Sequence, residues 1–195
     1  MNYSKCLFSV VLLLFCTGLF AGPFGLEMGM SLEDIGGESK KEGVSYVFKN
    51  VPKPHSAFDY YILKIAPTGG LYSVTALGKS TECSPDGYQI KIEFNDLKKI
   101  LENNYGKYRV IDRLSPGSIW DEPGDWMMSV FQNHRHYGVL WDKEVKDLSL
   151  PPDLESILLG IRATAQNEAN IILHYDFINS DSCEVEISAG ENSAL

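Results

Sequence analysis

The chain opens with one early lysine, Lys5, and then a run from Cys6 to Cys16 that is apolar apart from Ser9. Thr17 and Gly18 follow, then Leu19, Phe20, Ala21, Gly22 and Pro23. A basic start, a short apolar stretch and a small residue before a turn is the layout of a secretory signal peptide. The run is short for a membrane-spanning helix, which needs about 20 apolar residues. Residues 1–21 are therefore expected to be removed after Ala21, with Leu19 an unusually large residue three positions before the cut. A lipid-bearing cysteine needs a small residue before it; Phe15 precedes Cys16, so lipidation there is not expected.

Export constrains what is left. The remaining 174 residues suit one domain or two small, closely packed ones, and are ample for a core. No second long apolar run occurs, so a soluble protein without stable membrane insertion is expected. Of the charged residues only Lys5 leaves with the leader, so 16 basic side chains face 26 acidic ones, a net charge of −10. Such a chain is a poor ligand for nucleic acid or an anionic membrane, both of which need a basic footprint.

Cysteine usage follows the same logic. Four cysteines become two, Cys83 and Cys183, each in a turn-rich stretch. In an oxidising compartment they are expected to pair. A bond closing a loop of roughly 100 residues stabilises by up to about 4.7 kcal/mol in the chain-entropy model. A catalytic thiol is the alternative; it would need a basic partner in space, and no family signature surrounds either residue.

The local patterns predict an α+β fold. Ser31 is a good N-cap for a short helix with Glu33 and Asp34 in its first turn, stopped by Gly36 and Gly37. Strands are predicted at 44–51, 58–66 and 71–77, the last two as a hairpin around Pro67, Thr68, Gly69 and Gly70. From Ile90 the spacing turns helical, with Phe94, Leu97, Ile100 and Leu101 on one face and Gly106 as the stop. After a loop at 114–125, strands are predicted at 126–132 and 136–141. Residues 154–159 fit a strand or a short helix. A hairpin is predicted at 161–166 and 171–177, and a final edge strand at 184–187. Short connections imply antiparallel sheet with helices on one face. The order reads as two tandem helix-plus-sheet units, 22–79 and 80–189, followed by a mobile tail at 190–195.

The opening Gly29-Met30-Ser31-Leu32-Glu33-Asp34-Ile35, followed by a small antiparallel sheet, resembles the β-lactamase-inhibitor-protein-like group. That group includes the small accessory lipoprotein of the outer-membrane barrel-assembly machine. The stretch from Phe94 to Tyr108, with Tyr105, Gly106 and Lys107 at its end, looks like a second copy of the opening. The resemblance implies protein binding by an exposed sheet face, without catalysis, and it transfers no site residues. The first helix is shorter than the pattern, the loops at 80–89 and 115–125 are longer, and no good counterpart of the lipid-bearing cysteine exists.

Two segments carry residues with chemical potential. His134 and His136, two apart, would share a face on a strand and could bind zinc, but they flank a predicted turn and lack a third ligand at useful spacing; solvated turn histidines are expected, and no metal. In the second segment Trp120 and Trp126 bracket Asp121, Glu122 and Asp125. Aromatic faces beside acids suit a sugar or a cationic ligand, hard oxygen ligands suit calcium, and paired carboxylates serve glycoside hydrolysis. Against this stands a turn whose tryptophans pack on the sheet while the acids stay in water. Tyr60, Tyr61, Tyr72, Tyr137 and Tyr175 fit half-buried strand positions; an exposed aromatic row would instead be a contact face.

No nucleophile elbow, zinc-protease motif, phosphate loop or dinucleotide fingerprint is present in the sequence. The expectation is an exported module, periplasmic or secreted, that binds or inhibits another envelope protein, uses no cofactor and catalyses nothing. The alternative is an envelope glycan hydrolase or ligand-binding protein acting through Trp120, Asp121, Glu122, Asp125 and Trp126. A passive envelope protein without a discrete site is a third reading.

Overall fold

The computed structural model describes residues 22–146 and 148–192. The expected leader, its cleavage point and Cys16 lie outside the described residues, as does the end of the expected tail, 193–195.

Ser31 caps the first helix, α1 (Leu32–Ile35), as its position requires. The Ser31 hydroxyl accepts from the Asp34 amide at 3.1 Å, and the Asp34 carboxylate accepts from the Ser31 amide at 3.0 Å. This reciprocal box holds a single turn that could not persist by itself. Gly36, at φ +62°, ends it. Ser31→Ala is expected to cost about 1 kcal/mol, which lowers the melting temperature by about 2–4 °C for a domain of this size. A calorimetric scan with an unchanged midpoint would show that α1 docks without its cap.

Strands β1 (Ser39–Glu42), β2 (Ser45–Phe48), β3 (Phe58–Ala66) and β4 (Gly70–Gly78) form an antiparallel meander. After the two-residue strand β5 (Thr81–Glu82) comes helix α2 (Tyr88–Tyr105). Then β6 (Arg109–Leu114), helix α3 (Trp126–Phe131), β7 (Arg135–Trp141), β8 (Leu154–Ala165), β9 (Glu168–Phe177) and helix α4 (Ser180–Asn192) follow. Strands β6 to β9 also pair antiparallel, with β6 joined to β7, β7 to β8 and β8 to β9; α3 lies between the first two. The last strand of each set pairs with the other, so the sheet runs β1-β2-β3-β4-β9-β8-β7-β6, with β5 on β9. The fold is α+β with one continuous antiparallel sheet. The division expected between residues 79 and 80 falls between β4 and β5, inside that sheet.

Alternation sorts each strand into two faces. Phe48, Tyr61, Leu63, Val74, Ala76, Val139, Trp141, Ile157, Leu159, Ile171, Leu173, Tyr175 and Phe177 form the core side. Ile90, Phe94, Leu97 and Leu101 of α2, and Trp126, Met127 and Val130 of α3, close over it. A bulge between Lys64 and Ile65 lets Leu71 and Val74, three apart in β4, both enter this core. Tyr72 is thereby turned to the opposite face, where it joins Ala66, Cys183 and Ile187.

Three expectations fail here. The run from Trp126 is helix α3 and not a strand: Trp126, Met127 and Val130 bury one helical face, and the Ser129 hydroxyl donates to the Trp126 carbonyl at 2.7 Å. A six-residue apolar run fits both periods, and the need to cover β7 and β8 decides between them. Residues 184–187 lie inside α4 and form no edge strand, because Cys183 and Ile187, one turn apart, pack on Tyr72 and Ala66. That helix also takes in Gly190, Glu191 and Asn192 of the expected tail.

The third correction concerns the expected disulfide. Cys83 and Cys183 are both free thiols and both buried. The Cys83 amide donates to the Asn167 carbonyl, at the start of β9, and Cys183 follows the other end of β9. The ten-residue strand β9 holds them roughly 30 Å apart, whereas a disulfide needs Cα atoms within about 7 Å. Burial pushes both thiols up from their ordinary values, the direction expected of inert packing cysteines.

Candidate functional site

The segment singled out in the sequence comes apart in three dimensions. Trp126 is 6 % exposed. Its ring lies edge-on to Tyr137 at 5.4 Å, with the Lys91 ammonium 4.0 Å above it. The Met127 amide donates to the Pro85 carbonyl at 2.9 Å and pins the start of α3 to the loop before α2. Trp120 is half-buried and Asp125 partly so, while Asp121 and Glu122 stand in solvent. The structure therefore does not bring two indole faces to the carboxylates; one of the two belongs to the core. The His134 ring meets the Ser118 hydroxyl at 2.8 Å, and His136 is exposed on β7. Among the described residues no group of three or more His, Cys, Asp or Glu side chains is placed to hold a metal.

What the fold does assemble is the face of the sheet opposite the core. Cross-strand partners make two unbroken rows over it. One runs Val47, Ile62, Thr75, His174, Leu158, Leu140, Arg109. The next runs Tyr60, Leu77, Ile172, Gly160, Gly138, Ile111. Val47, Ile62, Leu77, Ile111, Leu140, Leu158 and Ile172 are all half-exposed, and Tyr60 is 49 % exposed. Of the helices, α2 and α3 pack on the core side, while α4 packs on this side, at the β3–β4 corner. It is clamped there by Glu186, whose carboxylate accepts from the Thr68 and Gly69 amides at 2.7 and 3.1 Å. Asn179 adds bonds to the Gly69 and Leu71 carbonyls.

A polar chain crosses the centre of this face. The Thr75 hydroxyl meets His174 Nδ1 at 2.8 Å, His174 Nε2 meets an Asp176 oxygen at 3.0 Å, and the Ser156 hydroxyl donates to the other Asp176 oxygen at 3.4 Å. Register explains the assembly: Thr75 pairs with His174, Ser156 pairs with Asp176, and His174 and Asp176 are two apart on one strand. Hydroxyl, imidazole and carboxylate stand in the order of a hydrolytic triad. Acyl transfer also needs free amide donors for an oxyanion, and β4 is an interior strand paired on both sides at Thr75. The arrangement instead fixes the imidazole and offers directional hydrogen bonds amid apolar neighbours.

Burial pushes the Asp176 carboxyl up, but the hydrogen bond and charge of His174, the Ser156 hydroxyl and the charge of Lys64 outweigh it and hold the group below its ordinary value. A carboxyl with a depressed folded pKa contributes stability above its unfolded pKa and loses it as the pH falls through the folded value. Asp176→Asn is therefore expected to destabilise the protein at pH 7, and the gap from the parent protein is expected to shrink below about pH 4. Urea titrations at pH 7 and pH 3 check this. An equal gap at both would mean that the ionised carboxylate contributes nothing.

The local sequence patterns do not single out Thr75, Ser156, His174 or Asp176 as a group. The period-two spacing of Ile172, His174 and Asp176 on a predicted strand was the available signal, since it places all three on one face.

Among the described residues no helix is long and apolar enough to cross a membrane. No family model matches the chain, and no curated protein or solved structure matches it either.

Proposed function

We propose that this protein is an exported, non-catalytic binding module of the cell envelope that docks the uncovered face of its sheet on a folded partner protein. The observation that carries the reading is the pair of unbroken, half-exposed rows over that face, with Val47, Ile62, Leu77, Ile172, Leu158 and Leu140 around the fixed Thr75 and His174. An apolar patch with a few directional polar groups at its centre is the composition of an interface core. Eight strands in sequence along the sheet, at about 4.8 Å spacing, span roughly 34 Å, enough for a partner burying about 800 Å² on each side. The net charge of −10 that remains without the leader favours a partner with basic side chains around a matching apolar patch. Export rests on the leader-like sequence of residues 1–21.

The test is capture of a partner from envelope extract on immobilised protein, alongside Leu158→Glu and Ile62→Glu. Both positions are half-exposed, so the substitutions leave the core intact. A partner retained by the parent protein and lost from both variants is expected. Equal recovery on all three, or no stoichiometric partner at all, would overturn the reading.

A further inference from the structure

We propose that the split between β7 and β8 is a binding site for a small organic anion carrying an aliphatic segment. The ladder joining the two strands runs from Trp141 and Ile157 to Gly138 and Gly160, and there it stops. Each strand nonetheless continues: β7 pairs with β6 back to Arg135, and β8 pairs with β9 on to Ala165. Past the glycine pair the strands diverge and leave a cavity of about 440 Å³, within the range of small-molecule sites.

The chemistry of its walls selects the ligand. The protein as a whole is acidic, yet every ionisable side chain lining this cavity except Tyr137 is basic: Arg113, Arg135, Arg162 and His136. Arg135 is paired with Asp112, while Arg113 and Arg162 make no ion pair among the described residues. The Nε of Arg135 is buried with no acceptor. Arg113 and Arg162, which have no carboxylate of their own, leave their forked donors unused, and the Arg135 Nε beside them lacks an acceptor, a need that one carboxylate or phosphate meets. The remaining wall is aliphatic, from Ile111, Leu158 and Ile172 on the uncovered face and Val130 at the end of α3. An anionic head among the arginines with a hydrocarbon segment against these side chains satisfies both halves.

The two glycines keep the mouth open in different ways. A Cβ on Gly138 would sit 2.6 Å from the Leu159 carbonyl oxygen, so no larger residue fits while the strands pair there. A Cβ on Gly160 would meet only the Tyr137 carbonyl oxygen, at 3.5 Å, an ordinary contact. Gly160 can thus carry a side chain, and that side chain would fill the site.

Decanoate, decanol and acetate serve as probes, titrated into the purified protein by calorimetry, with the Gly138 and Gly160 amide signals locating the site by NMR. Saturable decanoate binding that moves both signals is expected, with decanol and acetate each weaker by about tenfold or more. Replacing both Arg113 and Arg162 with glutamine is expected to weaken decanoate by about ten- to a hundredfold, the range of charge-assisted hydrogen bonds. Gly160→Leu should abolish binding while the protein unfolds cooperatively as before. Decanol or acetate binding as tightly as decanoate, an unchanged affinity in the arginine variant, or no saturation below about 1 mM would each overturn the assignment. The arginine positions are exposed, so that variant decides the matter even if Gly160→Leu fails to fold. Partner capture is measured separately, so failure of this site leaves the docking reading to its own test.

Discussion

Trp141→Ala is expected to destabilise the protein by about 3–5 kcal/mol, a large share of the 5–15 kcal/mol that holds a typical domain together. Trp141 is fully buried in β7 and lies edge-on to Tyr108 at 5.4 Å. Its indole N–H donates to the Gly106 carbonyl at 2.9 Å, at the residue that ends α2. Truncation therefore empties a core position and unties the sheet from the end of its main covering helix. Trp141→Phe separates the two effects: it keeps most of the ring volume but gives up the hydrogen bond, and about 1–2 kcal/mol is expected. Urea midpoints at constant m-value measure both. A loss below about 1 kcal/mol for the alanine variant would mean that the β7–α2 junction is not closed core.

Gly87→Ala is the second large effect. Gly87 adopts φ +70° just before α2, and a Cβ there would stand 2.3 Å from the Trp126 ring. The left-handed backbone costs a non-glycine residue about 1–2 kcal/mol, and forcing atoms into a filled core adds about 1–3 kcal/mol. Gly117 provides the control. It has nearly the same backbone angle, φ +75°, but a Cβ there meets no atom within 4 Å. Gly117→Ala should thus show only the backbone cost, and the difference between the variants isolates the packing of Trp126 on the loop before α2. Equal destabilisation by the two substitutions would show that Trp126 does not occupy this place, and would return it to the loop as a ligand-facing residue.

Elements with strong local signals were legible. The Ser31 cap, the Phe94, Leu97 and Leu101 stripe of α2, and the hairpin of β3 and β4 all stand close to where their residues predicted, whereas Ile100, expected on the same stripe, is 49 % exposed. The misreadings share a cause. Trp126–Phe131 and 184–187 are short segments compatible with two periods, and the neighbour each one packs on lies far away in the chain. Strand β1, Ser-Lys-Lys-Glu, has no apolar face at all, and β6 lies at the edge of the sheet with four of its six residues exposed, Ile111 on the uncovered face and half-buried Leu114 on the other. Edge strands draw their structure from one neighbour and leave little trace in composition. The cysteines depart from expectation for a different reason: an oxidising compartment favours pairing, while the register of β9 holds the two thiols at its opposite ends.

The amino-acid sequence by itself determined the α+β class, the caps and turns, and the antiparallel habit of the strands. These depend on forces between residues a few positions apart, such as a hydroxyl meeting the next turn's amides or apolar side chains one helical turn apart. Only the tertiary structure decided that β4 pairs with β9, across nearly a hundred residues. That one pairing joins two meanders into a single sheet, puts Thr75 against His174, and gives the sheet a second broad face on which α4 packs only at the β3–β4 corner. It follows from which apolar faces can be buried together, a property of the whole chain that no short window contains.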